Sequence, residues 1–379
     1  MTRAGQKVVI VTNIVAPYKS ILFDALHAKG VDVTVVYLAQ TESIREWKLD
    51  PGSHPHIVLT ASAEAVYQQS ANCFRLWLHL RTLNPRVLVV GGYARLEYWV
   101  GAVWGKVNGC RLLVLVESQL IDSQRHFLKE WIKRRFLQLC DGVLVDGIRH
   151  RSYALSLGMT DAQICVKRGV GPIDAAVWRD AVEREKALVL DRGQSGLAFL
   201  YVGRFAAEKA LLDLLAAYAT VPLHLNCSLT LVGDGPERSA LAEYVKAKQL
   251  RRVLLPGFQQ PERLPYWYAR GDIFVLPSIR EPWGYVVNEA MAAGLPVLIS
   301  SQCGCGPDLV EPGRNGFIFP SGDVTKLAKI MNDCAQHRYD LKVMGHLAYQ
   351  SILSYTPDRV ADAVIPFLNG VPCAEPRCR

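Results

Sequence analysis

Residues Ile279–Val310 read IREPWGYVVNEAMAAGLPVLISSQCGCGPDLV. A short apolar run, Ile273 to Leu276, precedes them and is closed by Pro277, the pattern of a buried strand entering a loop. Glu281 falls in that loop. Gly284 opens a run of helix formers from Tyr285 to Ala293, which Gly294 and Pro296 close. Val297 to Ser300 is the next strand. Strand, acidic loop, helix and strand in this order make a βαβ unit, and therefore a parallel sheet.

Two carboxylates, Glu281 before the helix and Glu289 within it, stand eight positions apart. The amides around Gly284 point out of the helix N-terminus, where they and the helix dipole favour a phosphate. A sugar nucleotide has hydroxyls at both ends and a diphosphate between. A carboxylate before the turn would hold the sugar hydroxyls; one further along would hold the ribose. Both acids would equally suit a solvated surface, the usual place of Glu. The small neighbours Gly284, Ala290, Ala292, Ala293 and Gly294 favour a helix packed at a ligand-approached edge.

The segment EPWGYVVNEAMAAGLPV resembles the Glu-x7-Glu motif of retaining GT-B glycosyltransferases of family four. The resemblance implies an α/β fold of two Rossmann-like, doubly wound parallel-sheet domains facing a cleft. It implies that Glu281 binds the donor sugar and Glu289 the ribose, with Trp283, Gly284 and Tyr285 beside them.

The 379 residues suffice for two domains, and half are apolar, as in ordinary globular chains. No apolar run approaches a membrane span, and the start MTRAGQKVVIVTNIV reads as a first strand rather than a secretory leader. The ten cysteines form no CxxC pair, and Cys303 with Cys305 lacks a second ligand pair, so no metal site is expected. Buried or idle thiols in a reducing cytoplasm are expected, with Cys373 and Cys378 in a loose tail. Residues 1–168 hold 21 Lys+Arg against 13 Asp+Glu, whereas residues 169–379 hold 22 of each. The excess of positive charge in the first half points to an acidic partner or membrane surface there, or to a diffuse solvated surface. Nucleic acid is not expected as a partner.

In the first half, strands at Val8–Val11, Val33–Leu38, Ile57–Leu59, Val87–Val90, Leu112–Val116 and Val143–Val145 alternate with helical stretches, as in a doubly wound sheet. Ligands bind such sheets at the carboxyl ends of the strands, which places the loops Asn13–Tyr18, Gly91–Tyr93 and Glu117–Asp122 beside a site. Asn13, Pro17 and Tyr18 form an Asn-x-x-x-Pro-Tyr loop, similar to that of a subgroup of the family and suited to acceptor placement. Glu117, where relatives carry a His-Asp pair, would take a proton from an acceptor hydroxyl, hydrogen-bond a sugar, or serve structure alone. Residues 125–136, RHFLKEWIKRRF, place Leu128, Trp131, Ile132 and Phe136 at helical spacing among five Lys and Arg. An interfacial helix on anionic lipid fits, but a core-packed helix with a wet basic face is the commoner outcome and the favoured one.

Gly169-Val170-Gly171-Pro172 breaks the pattern, and residues 173–196 read as a linker with a short helix. Strands then recur at Leu197–Val202, Leu229–Val232, Val253–Leu255, Ile273–Leu276, Val297–Ser300 and Gly316–Phe319. Arg204 in the loop after the first of these, and Lys209 at the following helix, would face a diphosphate from the strand ends. GRFxxEK resembles the family's diphosphate anchor and implies donor contacts for Gly203, Arg204 and Lys209; a salt-bridged surface pair is the bland alternative. Gly233-Asp234-Gly235-Pro236 resembles the family's GxGP loop, and Gly257-Phe258 the nucleobase edge. Gly304–Leu309 resembles the glycine-bearing loop that approaches the donor.

The expected organisation is an acceptor-side domain over 1–172, a linker over 173–196, a nucleotide-sugar domain over 197–355, and a C-terminal helix and tail over 356–379 returning to the first. The expected activity is retaining, metal-independent transfer of a hexose from a nucleotide-diphosphate sugar to a glycan or lipid-linked hydroxyl, without a resident cofactor. Arg204, Lys209, Glu281 and Glu117 would carry it, in the cytoplasm or on the inner membrane face, in bacterial envelope polysaccharide assembly. A sugar-nucleotide epimerase of the same fold and a non-catalytic polyanion- or lipid-binding protein are the rivals. These motifs leave the sugar, the base and the acceptor open.

Overall fold

A computed structural model describes residues 6–41, 50–60, 69–121, 126–167, 174–188 and 196–373. The chain divides into two compact units, Met1–Pro172 with Tyr355–Arg379, and Ile173–Ser354.

Seven parallel strands form the sheet of the first unit: β1 (Val8–Ile14), β2 (Val33–Ala39), β3 (His56–Val58), β4 (Val87–Val90), β5 (Arg111–Val116), β6 (Gly142–Val145) and β7 (Ile164–Val166), in the order β3-β2-β1-β4-β5-β6-β7. β7 is absent from the sequence expectation. The helices are α1 (Pro17–Ala28), α2 (Gln69–Leu83), α3 (Leu96–Val107), α4 (Phe127–Leu139) and α5 (Ile148–Ser156). Side chains alternate across the sheet, as the two-residue period of a strand requires. Val9, Val11, Leu88, Val90, Leu112 and Val114 meet residues of α2–α5 on one face. Val8, Ile10, Val87, Val89, Leu113 and Leu115 meet α1 on the other, together with a helix from the chain's end, described below.

In the second unit the strands are β8 (Ala198–Val202), β9 (Ser228–Val232), β10 (Val253–Gly257), β11 (Ile273–Leu276), β12 (Val297–Ser300) and β13 (Gly316–Phe319), all parallel, in the order β10-β9-β8-β11-β12-β13. Helices α6 (Ala175–Leu188), α7 (Leu211–Tyr218), α8 (Arg238–Ala247), α9 (Leu264–Tyr268), α10 (Tyr285–Ala292), α11 (Gly306–Leu309), α12 (Val324–Ala335) and α13 (Leu341–Ile352) surround it. Residues 175–188, read from the sequence as part of a linker, belong to this unit. Trp178 is buried, its ring lies 5.6 Å from that of Tyr268, and its indole N–H donates to the Glu289 carbonyl oxygen at 3.0 Å. The Gly169–Pro172 break lies outside the described residues.

Helix α14 (Pro357–Leu368) closes the first unit, packing Val360, Ala361, Val364 and Phe367 into the core shared with α1. Cys373 beyond it forms a disulfide with Cys165 on β7, correcting the expectation of an idle thiol; Cys378 lies outside the described residues.

Candidate functional site

The sheet order of the second unit reverses between β8 and β11, so the loops leaving these neighbouring strands open a crevice between them. Lys209 follows β8 and Glu281 follows β11. Their loops are tied together: the amides of Ile279 and Arg280 donate to the Glu208 carbonyl at 2.9 and 3.4 Å. The consequence is a direct ion pair between Lys209 Nζ and Glu281 Oε2, with the side chains 16% and 12% exposed. Ser278 Oγ lies 3.4 Å from the same carboxylate oxygen. A third loop, after β12, joins them, since Gly304 N donates to the Glu281 carbonyl and Cys305 N to that of Trp283. Arg204 pairs with Glu208 at 2.5 Å and remains more open to solvent. Each cation of the GRFxxEK segment therefore carries a carboxylate partner.

Glu289 sits in different surroundings. It is half-buried on α10, and the buried Tyr268 hydroxyl donates to its Oε2 at 2.8 Å. Loss of solvent pushes its carboxyl up to about 7, and the Tyr268 hydrogen bond pulls in the opposite direction. Two glutamates eight residues apart thus differ in their chemistry: one is salt-bridged, the other is a carboxyl poised between its two protonation states. Tyr268 and Trp178, which position Glu289, carry no local signal, since each meets it only through the packing of α6, α9 and α10.

Gly284 caps the N-terminus of α10 with φ +98°, the left-handed turn its lack of Cβ allows. Gly233 and Gly235 allow a close approach of backbone to backbone. A Cβ on Gly233 would lie 1.9 Å from the Gly203 carbonyl oxygen, and one on Gly235 would lie 2.4 Å from that of Phe205. They let the β8 and β9 loops lie against each other, sealed by Phe205 N donating to the Asp234 carbonyl at 2.7 Å. Beneath them the buried Tyr201 hydroxyl donates to the Arg204 carbonyl at 2.9 Å. Gly257 is buried, and Phe258 half-buried, at the end of β10. Trp283 is a core residue, 2% exposed, whose indole N–H donates to Asn288 Oδ1 at 3.0 Å. Tyr285 is half-buried at the first position of α10.

In the first unit the order reverses between β1 and β4. Lys19, on the first turn of α1, pairs with Glu117 after β5 at 3.0 Å. Burial opposes the Lys19 charge, but Glu117, Tyr18 and Tyr98 more than offset it, so the ammonium holds its proton more tightly than usual. Asp146 after β6 and Lys167 after β7 form a second, fully buried pair. Burial works against the Asp146 charge, yet Lys167 and His150 hold its carboxyl below the usual range. Pro17 starts α1, Tyr18 is half-buried with the Lys19 ammonium 5.9 Å from its ring centre, and Asn13 Oδ1 lies 3.4 Å from Thr12 Oγ1. Asp122 lies outside the described residues.

Residues 189–350 match the family model of glycosyl transferases group 1. Over that stretch the chain resembles a group 1 glycosyltransferase. Over 163 residues it is 32% identical to sulfoquinovosyl transferase SQD2 of Arabidopsis thaliana, covering 41% of this chain and 30% of that protein. Over 187 residues it is 30% identical to N-acetyl-alpha-D-glucosaminyl L-malate synthase of Bacillus anthracis, covering 48% of this chain and 47% of that one. The chain thus spans less than half the length of these two curated relatives. Among solved structures, Anabaena HepE in complex with UDP superposes with a TM-score of 0.77 at 18% identity, over 96% of this chain and all of that one. Sucrose-phosphate synthase of Thermosynechococcus elongatus gives 0.78 at 22%, over 96% and 98%. At these identities the likeness concerns the fold, which is GT-B.

Arg204, Lys209, Glu281 and Glu289 all lie within the matched residues. Asn13, Pro17, Tyr18 and Glu117 lie outside the match. Lys19, Asp146 and Lys167 escaped the sequence reading because their partners are distant in the chain. Only the register of the sheet brings the ends of β5, β6 and β7 side by side.

Proposed function

We propose that the chain is a retaining hexosyltransferase that moves a sugar from a nucleoside-diphosphate donor to a hydroxyl of a glycan or lipid-linked acceptor. The observation that carries this reading is the Lys209–Glu281 pair at the switch point of the second sheet. A donor entering there offers hydroxyls to Glu281 and a diphosphate to Lys209, so each partner exchanges the other for a group of the substrate. Arg204, already in reach of solvent, joins Lys209 on the diphosphate. As the bond from the anomeric carbon to the leaving oxygen breaks, charge accumulates on that diphosphate. Fixed cations there stabilise the transition state more than the ground state. The acceptor oxygen bonds to the same face of the sugar, and its proton passes to the departing diphosphate oxygen. Glu289 holds the ribose in its ionised form.

The proposed reaction takes no resident cofactor or metal. Asn13, Pro17, Tyr18 and Glu117 are assigned to the acceptor side, Glu117 acting through the Lys19 pair that orients it. The proposed setting is envelope polysaccharide assembly on the cytoplasmic side of a bacterial membrane, with peripheral contact to anionic lipid. Among the described residues no helix is long and apolar enough to cross a membrane.

Incubation with UDP- and GDP-sugars, with and without glycan and polyprenyl acceptors, tests the reading. Acceptor-dependent release of nucleoside diphosphate, with the donor's anomeric configuration kept in the product by proton NMR, is expected. Inversion would overturn retention, acceptor-free isomerisation would make the chain an epimerase, and silence with every donor would leave a binding protein.

A further inference from the structure

The outer face of the α2–α3–α4 layer repeats one pattern. On α2, Phe74, Trp77 and Leu78 are followed by Arg81; on α4, Leu128, Trp131 and Ile132 are followed by Arg135. Each is an i, i+3, i+4, i+7 set and so occupies one stripe of its helix. Both stripes face solvent: Phe74 is 64% exposed, Leu128 65% and Trp131 47%. The core is filled by other residues of the same helices, Leu76 and Leu80 on α2, Phe136 and Leu137 on α4. This overturns the expectation that Leu128, Trp131 and Ile132 pack inward. In both stripes the arginine lies over the tryptophan, Arg81 at 5.8 Å from the ring centre and Arg135 at 5.3 Å. Helix α3 stands between, packed on α2 and joined to α4 by Trp99 against Phe136 at 4.6 Å. It adds the exposed Val103 and Val107.

An apolar surface of this extent on three adjacent helices calls for a partner. Its charge identifies the partner. Arg75, Arg81, Lys129, Arg134 and Arg135 are exposed on these helices, while Lys106 is paired with Asp141 at 2.7 Å. Their two acids are withdrawn: Glu97 is buried, and Glu130 pairs with Lys133. Aromatic and aliphatic side chains flanked by long cations match the boundary between acyl chains and anionic headgroups, where the stems lie in the apolar layer and the charges reach the phosphates.

We propose that the outer face of α2, α3 and α4 seats the protein on an anionic bilayer surface. This rests on the proposed function only in that it assigns the peripheral contact to one face, and its test needs no turnover. The full chain is floated with vesicles of phosphatidylcholine alone, and with vesicles of phosphatidylcholine mixed equally with phosphatidylglycerol. Expected is selective binding to the mixed vesicles, weakened by salt. Arg81→Gln with Arg135→Gln should lower the partition coefficient roughly thirtyfold, the loss of two surface cations. Trp77→Glu with Trp131→Glu should abolish binding, with the far-ultraviolet spectrum and melting curve unchanged because both rings are exposed. Lys209→Ala should float like the parent, so loss of transfer and loss of lipid binding are read separately. Equal binding to neutral vesicles, or no binding to either kind, would overturn the proposal. So would a concentration-dependent dimer that Trp131→Glu dissolves, which would make the face a contact between copies.

Discussion

Lys209 and Glu281 are 72 positions apart and form a direct ion pair, because their loops leave adjacent strands at the point where the sheet reverses its order. The pair rests on backbone bonds that any sequence in those loops could make, from Ile279 and Arg280 to the Glu208 carbonyl. The side chains decide what the pair does.

Lys209→Ala should lower turnover by at least about a hundredfold, the usual cost of removing one preorganised group from a developing charge. The protein should stay folded by circular dichroism. Thermal melts of Lys209→Ala, Glu281→Ala and the double variant should show coupling of about 1–3 kcal/mol, with the double variant less destabilised than the sum of the singles. Strict additivity would mean that the pair does not form in solution.

Donor binding should depend on pH through Glu289. Its carboxyl titrates near 7, so affinity for nucleoside diphosphate, followed by calorimetry, should fall as pH drops through that value. Tyr268→Phe removes the hydrogen bond that lowers this value, and the midpoint should move to higher pH. The effect on stability has the opposite sense. A carboxyl raised in the folded state binds protons that the unfolded chain releases, so its charge destabilises the fold increasingly as pH rises from about 4.5 to above 7. Glu289→Gln should therefore raise the melting temperature at pH 8 and change it little at pH 4.

Gly233→Ala should cost about 2–4 kcal/mol by urea denaturation, since the new Cβ meets the Gly203 carbonyl at φ +140°. Gly313, also at positive φ but with open space around its Cβ position, is the control, and Gly313→Ala should cost only about 1 kcal/mol. Equal losses would show that backbone conformation alone, not the contact between loops, makes glycine necessary at 233.

The Cys165–Cys373 disulfide closes 208 residues, including the whole second unit, into one covalent loop. Peptide mapping without reductant should recover the linked pair. Cys373→Ser should destabilise the first unit by about 2–4 kcal/mol under oxidising conditions. Free alkylation of both thiols in unreduced protein would count against the bond.

Much of the architecture was legible in short apolar runs. Twelve of the thirteen strands follow from β-branched or leucine-rich segments, and β7, a lone Ile164-Cys165-Val166 run, is the exception. Helix α6 is legible as a short helix, but not the unit to which it belongs. Its charged sequence resembles a linker, and the residue that anchors it, Trp178, finds its place only against Tyr268 and the Glu289 carbonyl. Helix α4 shows the limit of periodicity. An apolar stripe records that one face is greasy, not whether that face turns toward the core or toward an outside partner.

Spacing along the chain by itself determined the two runs of parallel strands and the loops in which Arg204, Lys209, Glu281 and Glu289 stand, because backbone preference and apolar period are local properties. Which acid meets which base was decided only in three dimensions. The order of strands in a sheet is a long-range choice, and it alone gave Glu281 a lysine and Glu289 a tyrosine. It also left two tryptophan–arginine stripes facing outward.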